Sequence, residues 1–428
     1  MNADDMILIS VDDHVIEPKN MFDNHWPASL KGQEPKNTRH ERGDVWEFQG
    51  LEAPNVGLNA VAGCPPEEYN LDPTEYEQMR PGCFDSDLRV LDMSASGILA
   101  GINFPTFPHF CGQYFLRMPD KDLSLVAVQA YNDWHIDEWA GSHPDRLIPM
   151  SLMPLWDPQL MADEIRRVAA KGCHAVTFSE NPAKLGLPSY HTEHWDPFFK
   201  ACADENVNIC LHIGSSSSMP LTTPDAPPEV VISLTPTNSM LAVADVVFSG
   251  IFKRFPTLQI AMSEGGIGWI PYILERMDYT YQHHHAWTGT DLGGRLPSQI
   301  FHDHFWTCFI DDAAGLQMRD LIGVDKMMYE LDYPHSDCTW PTAPEALWKG
   351  IQHLPDAEIN KITHENAMRC YGFDPFKYRP KAQSTVAALR AEAAAANVNV
   401  EITSMGRRKA DGNMMADLLK SAAQGAKS

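Results

Sequence analysis

The sequence has nine cysteines and no Cys-x-x-Cys pair among them. That pattern fits the buried, reduced thiols of a cytoplasmic chain rather than a disulfide frame or a cysteine zinc site. No run approaches the ~18 apolar residues that a membrane helix requires. The acidic N-terminus, with an apolar run only a few residues long, does not read as a secretory signal. Positive charge is scarce: 33 Lys and Arg stand against 57 Asp and Glu, a formal net charge of −24. That balance argues against nucleic acid or an anionic membrane as a partner, while leaving room for a local basic pocket. No internal repeat is visible, and the only low-complexity tract is an alanine run near residue 393.

What the chain does have is a core. At 428 residues and 44% hydrophobic, it is long enough for two ordinary domains or one large α/β barrel with additions. Apolar, β-branched runs occur at residues 7–12, 97–104, 147–153, 174–178, 207–213, 258–263, 305–310 and 326–332. Helical periodicity lies between them, at residues 159–171, 196–206, 269–281 and 344–354. Eight strands alternating with helices predict a parallel sheet closed into a (β/α)8 TIM barrel. An open doubly wound sheet is the alternative, but no glycine-rich phosphate loop follows the first strand.

Two segments fall outside the repeat. Residues 24–83 are rich in Pro, Gly, Asn and charge, too long for a bare loop. They read as an insertion over the barrel, either a lid or a peripheral decoration. The barrel would span 1–375. Residues 376–428 read as a helical extension with a polar, frayed end, wrapping the barrel or a partner subunit.

In a barrel, catalytic groups come from the C-terminal ends of different strands. The first strand ends in "SVDDHVIEP", the fifth in His212, the sixth in Ser263-Glu264, and the eighth in Asp332, with His335 just beyond. Strand alternation puts Asp12 and His14 on one face and Asp13 on the other. Asp12, His14, His212 and Asp332 make a set of two imidazoles and two carboxylates, suited to one Zn²⁺, with Mn²⁺ or Fe²⁺ as alternatives. A metal would also explain why buried carboxylates stand at the end of an apolar strand.

The order of these motifs resembles the amidohydrolase superfamily. It is most similar to the branch typified by aminocarboxymuconate-semialdehyde decarboxylase and γ-resorcylate decarboxylase. "ISVDDHVIEP", "CLHIGSS", "FPTLQIAMSEGGIGWIPYILERMD", "YELDYPHSD" and "ITHENAMRCYGFD" carry the resemblance across most of residues 6–374. It implies that the family's strand-one His-x-His is Asp12-x-His14, that the strand-five histidine is His212, and that the strand-eight aspartate is Asp332. Where many members have a histidine after strand six, this chain has Glu264.

Two enzymatic readings follow. In hydrolysis, an activated water attacks an amide, ester, lactone or activated C–C bond. In non-oxidative decarboxylation, Asp332 protonates the carbon of an aromatic acid. Replacing the usual histidine with Glu264 tips the expectation towards hydrolysis. A metal-binding protein without catalysis is the third reading. Asp332 is both ligand and acid or base. Glu264 moves a proton, orients water, binds the metal, or simply starts a helix. His335 partners Asp332, meets substrate, or is an idle turn residue.

For substrate, Phe104, Thr106, Ser215 and Trp269 are the candidates. The aromatic stretch "NFPTFPHFCGQYF" (residues 103–115), with Trp26, Trp46 and Trp340, lines an apolar pocket or is ordinary core. His191 and His194 read as helix-entry capping, and His283–His285 as a helix end, not metal sites. A small molecule is the expected substrate, and a homo-oligomer, dimer or larger, the expected assembly.

Overall fold

The computed structural model describes residues 1–41 and 43–409. The strands in chain order are β1 (Leu8–His14), β2 (Lys36–His40), β3 (Gly43–Phe48), β4 (Leu51–Pro54), β5 (Ile98–Phe104), β6 (Leu147–Ile148), β7 (Ala175–Ser179), β8 (Asn208–His212), β9 (Ile260–Ser263), β10 (Phe305–Phe309) and β11 (Met327–Tyr329). Leaving out β2–β4, they match the eight expected runs. They pair in parallel as β1-β5-β6 and as β11-β10-β9-β8-β7. The two ladders meet at two seams. At one, Ser151 bridges Val176. At the other, the Asp332 N–H donates to Asp12 O and the His14 N–H to Tyr333 O, both at 2.7 Å.

The runs are continuously apolar because both faces of a barrel strand are buried. Ile9, Val11, Ala175, Cys210, Cys308 and Met328 belong to one apolar cluster with Tyr371. Leu8, Val176, Leu211 and Met327 belong to the larger cluster that the surrounding helices share. Helices Pro158–Ala169, Asp196–Glu205 and Ala343–Ile351 lie where periodicity predicted them, while the helix starting at Ile270 runs on to Thr288. The third strand is shorter than its apolar run. The eighth stops at Tyr329, because Leu331 N–H turns to Ser10 Oγ at 2.9 Å.

One expectation about length needs correcting. The segment Pro228–Phe248 is long and apolar enough to cross a membrane by composition. Here it forms two helices, Pro228–Leu234 and Pro236–Phe248, and packs Ala242, Val243, Val246 and Val247 into the core.

Residues 24–83 hold the antiparallel sheet β2-β3-β4 and several 3-10 turns. Their order comes partly from the C-terminus. The helix Val386–Ala395 buries Val386, Leu389 and Ala393. The chain then runs back over the insertion, where Thr403 N–H donates to Gly63 O at 3.0 Å. Arg407 is buried and donates to Gly57 O and Gln78 O, both at 2.8 Å, and to Ala60 O. Glu68 accepts from Ser404 Oγ and from Met405 N at 2.9 Å. The insertion in turn touches the loop after β11: Val61 N–H and Ala62 N–H both donate to Pro334 O, at 2.8 and 3.1 Å. The polar end expected at residues 410–428 lies outside the described residues.

Candidate metal centre

Strand register brings the candidate ligands to one level. Ser179 pairs with His212, and His212 with Ser263, so the ends of β7, β8 and β9 are flush. On β1, Ser10 pairs with Gly101 but Asp13 with Asn103, a one-residue bulge. Ile9 and Val11 are interior residues. The bulge lets Asp12 and His14 follow them towards the same axis, as bulges beside active sites commonly do. Asp13 does point elsewhere, as alternation required. Its carboxylate accepts from Ser10 Oγ and Tyr333 N–H, both at 3.0 Å.

Asp12, His14, His212 and Asp332 converge and are fully buried. His14 Nε2 lies 3.4 Å from Asp12 Oδ1 and 3.3 Å from Asp332 Oδ1. His212 Nε2 lies 3.5 Å from Asp12 Oδ2 and 3.2 Å from His14 Nε2. Glu264 Oε2 stands 3.3 Å from His212 Nε2, and His335 Nδ1 stands 3.0 Å from Asp332 Oδ1. His335 also stacks on His14, ring centroids 3.6 Å apart. The six side chains form two overlapping groups that share His14: one with Asp12 and His212, one with Glu264, Asp332 and His335.

This donor set fits a divalent cation. Both oxygens of Asp12 and both of Asp332 are buried without a hydrogen-bond partner. Orphaned carboxylate oxygens of that kind are costly unless a cation meets them. Burial pushes the Asp12 carboxyl well up, reinforced by the charges of Glu330, Asp332 and Glu264. Burial does the same to Asp332 and Glu264, with help from neighbouring carboxylates. His212 is held neutral, pushed down to about 3 by burial. Its Nδ1 meets Ile213 O at 2.5 Å, which leaves the Nε2 lone pair facing the cluster.

Two of these carboxylates sit on strained backbone. Glu264 has φ of 55° and Asp332 has φ of 61°, the left-handed region that residues other than glycine rarely occupy. Such strain persists where surrounding structure enforces it, commonly at functional sites.

The substrate candidates are placed unequally. Phe104 lies beside the cluster, its ring 4.9 Å from that of His212. Thr106 is buried, with its N–H on Glu17 Oε1 at 3.0 Å and its hydroxyl unpartnered. Ser215 is already engaged, donating to Glu180 and to His212 O. Trp269 is half-buried and tied by Nε1 to Gly265 O at 2.7 Å. Trp46 is core, stacked on Phe107 at 4.5 Å. Trp340 donates to Asp92 O at 2.9 Å. His191 contacts Asp245, and His283 and His285 bond to carbonyls of their own helix. None of these three joins a metal-ready group among the described residues.

Two residues beside the site, Glu330 and Glu17, were not singled out from the sequence, while Phe110 lies in the aromatic stretch that was. Glu330 is buried, accepts Glu264 N–H at 3.0 Å, and shares strand parity with Asp332, a signal that was there to use. Phe110 stacks on His212 at 4.3 Å. Glu17, the last acid of the opening motif, accepts Phe107 N–H at 2.8 Å and Tyr131 O–H at 3.0 Å, fixing the loop after β5.

A family model described as amidohydrolase matches residues 23–373. A γ-resorcylate decarboxylase from Rhizobium sp. (strain MTP-10005) is 25% identical over 343 residues, 74% of this chain and 94% of that protein. Among solved structures, an amidohydrolase from Mycobacterium avium subsp. paratuberculosis K-10 has a TM-score of 0.64 at 20% identity, covering 86% of this chain and 99% of the other. A dihydroxybenzoic acid decarboxylase from Polaromonas sp. JS666, with bound manganese and the inhibitor 2-nitroresorcinol, has a TM-score of 0.58 at 18% identity, covering 89% and 99%. The structural likeness carries the α/β TIM-barrel fold.

Proposed function

The chain belongs to the amidohydrolase family, an enzyme of that superfamily, and on that premise we propose that it is a metal-dependent, non-oxidative decarboxylase of an aromatic acid. This reverses the order of the two readings taken from the sequence, where Glu264 had tipped the balance to hydrolysis. The relatives with named activities are carboxy-lyases. Glu264 stands beside His212, where a carboxylate serves proton movement as readily as water activation.

The supporting observation is the buried convergence of Asp12, His14, His212 and Asp332, walled by the rings of Phe104 and Phe110. Those four residues would hold a divalent cation, manganese or zinc foremost. Bound there, such an ion would supply Lewis-acid polarisation of a substrate oxygen and a positive charge beside the carboxylate. Phe104 and Phe110 present apolar faces to an aromatic ring and exclude water. Asp332, oriented by His335, holds a proton at its carboxyl and delivers it to the ring carbon. That carbon keeps the electron pair of the breaking bond, and the carboxylate leaves as CO₂. Glu264 returns a proton from solvent, its side chain being one-fifth exposed.

We also propose that residues 24–83 act as a cover. Ala53, Pro54, Val56 and Asn59 of this segment line one cavity together with Phe110. Substrate protection of the segment from hydrogen exchange tests the idea; unchanged exchange there makes it a decoration.

Turnover of a hydroxybenzoate panel by manganese-loaded protein, in water enriched in heavy oxygen, tests the main proposal. CO₂ release with solvent hydrogen in the product supports it. Heavy oxygen in the product, with no CO₂, returns the assignment to hydrolysis.

A further inference from the structure

Both backbone polar groups of His14 are claimed at the seam where the first and last barrel strands meet. Its N–H donates to Tyr333 O at 2.7 Å, and its carbonyl accepts from Arg89 Nη2 at 2.5 Å. Arg89 stands on the helix Ser86–Ala95 and is wholly buried. Its Nε donates to Gly82 O at 2.6 Å, and Nη2 also reaches Cys83 O at 3.4 Å. The guanidinium carbon lies 4.5 Å from the centroid of the Tyr333 ring and 5.4 Å from that of Trp139. Carbonyl oxygens and aromatic faces are what stabilise this buried charge.

Arg146 shows the purely structural use of such a group. It is buried, donates to the carbonyls of Val90, Ile98 and Leu99, and grips the start of β5, at the end of the barrel away from the metal-ready cluster. Arg89 differs in what it touches. One of its carbonyls belongs to His14, and the ring it faces belongs to Tyr333, next in sequence to Asp332. No strand ladder fixes the spacing of those two residues: β1 and β11 lie in different ladders, and single hydrogen bonds join their ends. Tyr333 is itself pinned, its N–H on Asp13 Oδ1 at 3.0 Å and its hydroxyl on Asp92 Oδ2 at 2.7 Å, so its ring is a firm surface for the guanidinium.

Resting on the metal-centre reading, and independent of whether the reaction is decarboxylation or hydrolysis, we infer that Arg89 is a positioning residue for that centre: its fork on His14 O and its face on the Tyr333 ring set the separation of His14 and Asp332, which come from opposite ends of the chain. A guanidinium suits the task because its donors diverge in one rigid plane, so a single side chain fixes a carbonyl with its edge and a ring with its face. His14 Nε2 and Asp332 Oδ1 stand 3.3 Å apart. Loosening either one spreads the donor set that a cation needs and moves the Asp332 carboxyl away from the carbon it protonates.

The test reads the metal directly, in metal-stripped full-length protein. Calorimetric titration of R89M with Mn²⁺ is expected to give an affinity ~10–100-fold below wild type, the usual cost of losing a partner that orients a ligand. R89K keeps the charge without the planar fork, so it should recover only part of that loss. The visible spectrum of Co²⁺-loaded protein follows ligand geometry and should change in both variants. R146M is the control: it should lower Tm while keeping the wild-type Mn²⁺ affinity and Co²⁺ spectrum. Should R89M fail to fold, R89K decides the question by the same two measurements. Wild-type affinity and spectrum in the Arg89 variants overturn the inference and leave the metal centre standing. An equal loss in R146M also overturns it, since both effects would then be general loosening. A wild type that takes up neither ion overturns the metal centre and the inference together.

Discussion

Glu264 Oε2 lies 3.3 Å from His212 Nε2, while its backbone N–H donates to the buried Glu330 carboxylate at 3.0 Å. One residue therefore links the metal-ready cluster to the acid beneath it, from a strained φ of 55°. If Glu264 moves a proton, Glu264→Gln keeps the metal and loses roughly 10²-fold in kcat, the usual scale of general acid–base catalysis. If it is a ligand, metal affinity falls with the rate. Metal content and single-turnover rate measured on the same preparation separate the two. An unchanged rate removes Glu264 from the mechanism.

The metal set makes a second prediction. His212→Ala should lose tight divalent binding and activity together yet stay folded, because the apolar barrel cluster does not include that ring. Chelation of the wild type should lower Tm, since only the folded site gathers these carboxylates. At a metal concentration of 1,000 times Kd the stabilisation is about 4 kcal/mol. Elemental analysis and thermal unfolding with and without manganese check both. A metal-free wild type with unaltered Tm and full activity contradicts the assignment.

Much of this was legible in the sequence, for physical reasons. Parallel strands buried on both faces leave continuous β-branched runs, so every barrel strand announced itself. Strand ends were equally readable, and with them Asp12, His14, His212 and Asp332. Alternation placed Asp12 and His14 together correctly, but counting straight through puts them on the face opposite Ile9 and Val11. The bulge between Ser10 and Asp13, which brings Ile9, Val11, Asp12 and His14 all inward, has no local sequence mark. The fate of Ser215 was hidden too, because its hydroxyl is claimed by Glu180, far away in sequence. The hold of Arg407 on the insertion joins segments more than three hundred residues apart. Long-range hydrogen bonds of that sort follow from tertiary packing and not from periodicity.

Glu17 predicts a pH dependence. Burial pushes its carboxyl up to about 7, although hydrogen bonds from Phe107 N–H, Thr106 N–H and Tyr131 O–H oppose the shift. An acid with a raised folded-state pKa binds its proton more tightly when folded. Its stabilising contribution is full below the unfolded value, about 4.3, and is lost as pH rises to about 7. A shift of this size corresponds to roughly 4 kcal/mol at most. Wild-type Tm should therefore fall from pH 5 to 7.5 relative to Glu17→Gln, which has no such titration. Parallel Tm curves for the two proteins would show that Glu17 stays ionised in its ring of donors.

The last prediction concerns the C-terminal strap. Arg407 satisfies the carbonyls of Gly57, Ala60 and Gln78, and Val61 and Ala62 hold Pro334 O, two residues from Asp332. A chain of contacts thus runs from the tail through the insertion to the loop that carries Asp332 and His335. Arg407→Ala leaves the buried carbonyls of Gly57 and Ala60 and the half-buried one of Gln78 without their donor, at ~1–3 kcal/mol for each buried one before water enters. The barrel strands make none of these bonds, so the damage should stay local. Hydrogen exchange should rise across residues 57–80 and 332–335 while β8 and β9 keep their protection. Metal binding by Asp12, His14 and His212 should persist, and kcat/KM should drop because the cover and the Asp332 loop are loosened together. Arg407→Lys retains one charge but not the planar fork, so it should rescue only part of the protection. Uniform loss of protection throughout the barrel would instead make Arg407 a global stability element. Unchanged exchange at 332–335, with a fast-exchanging insertion, would show that the contact through Pro334 does not transmit.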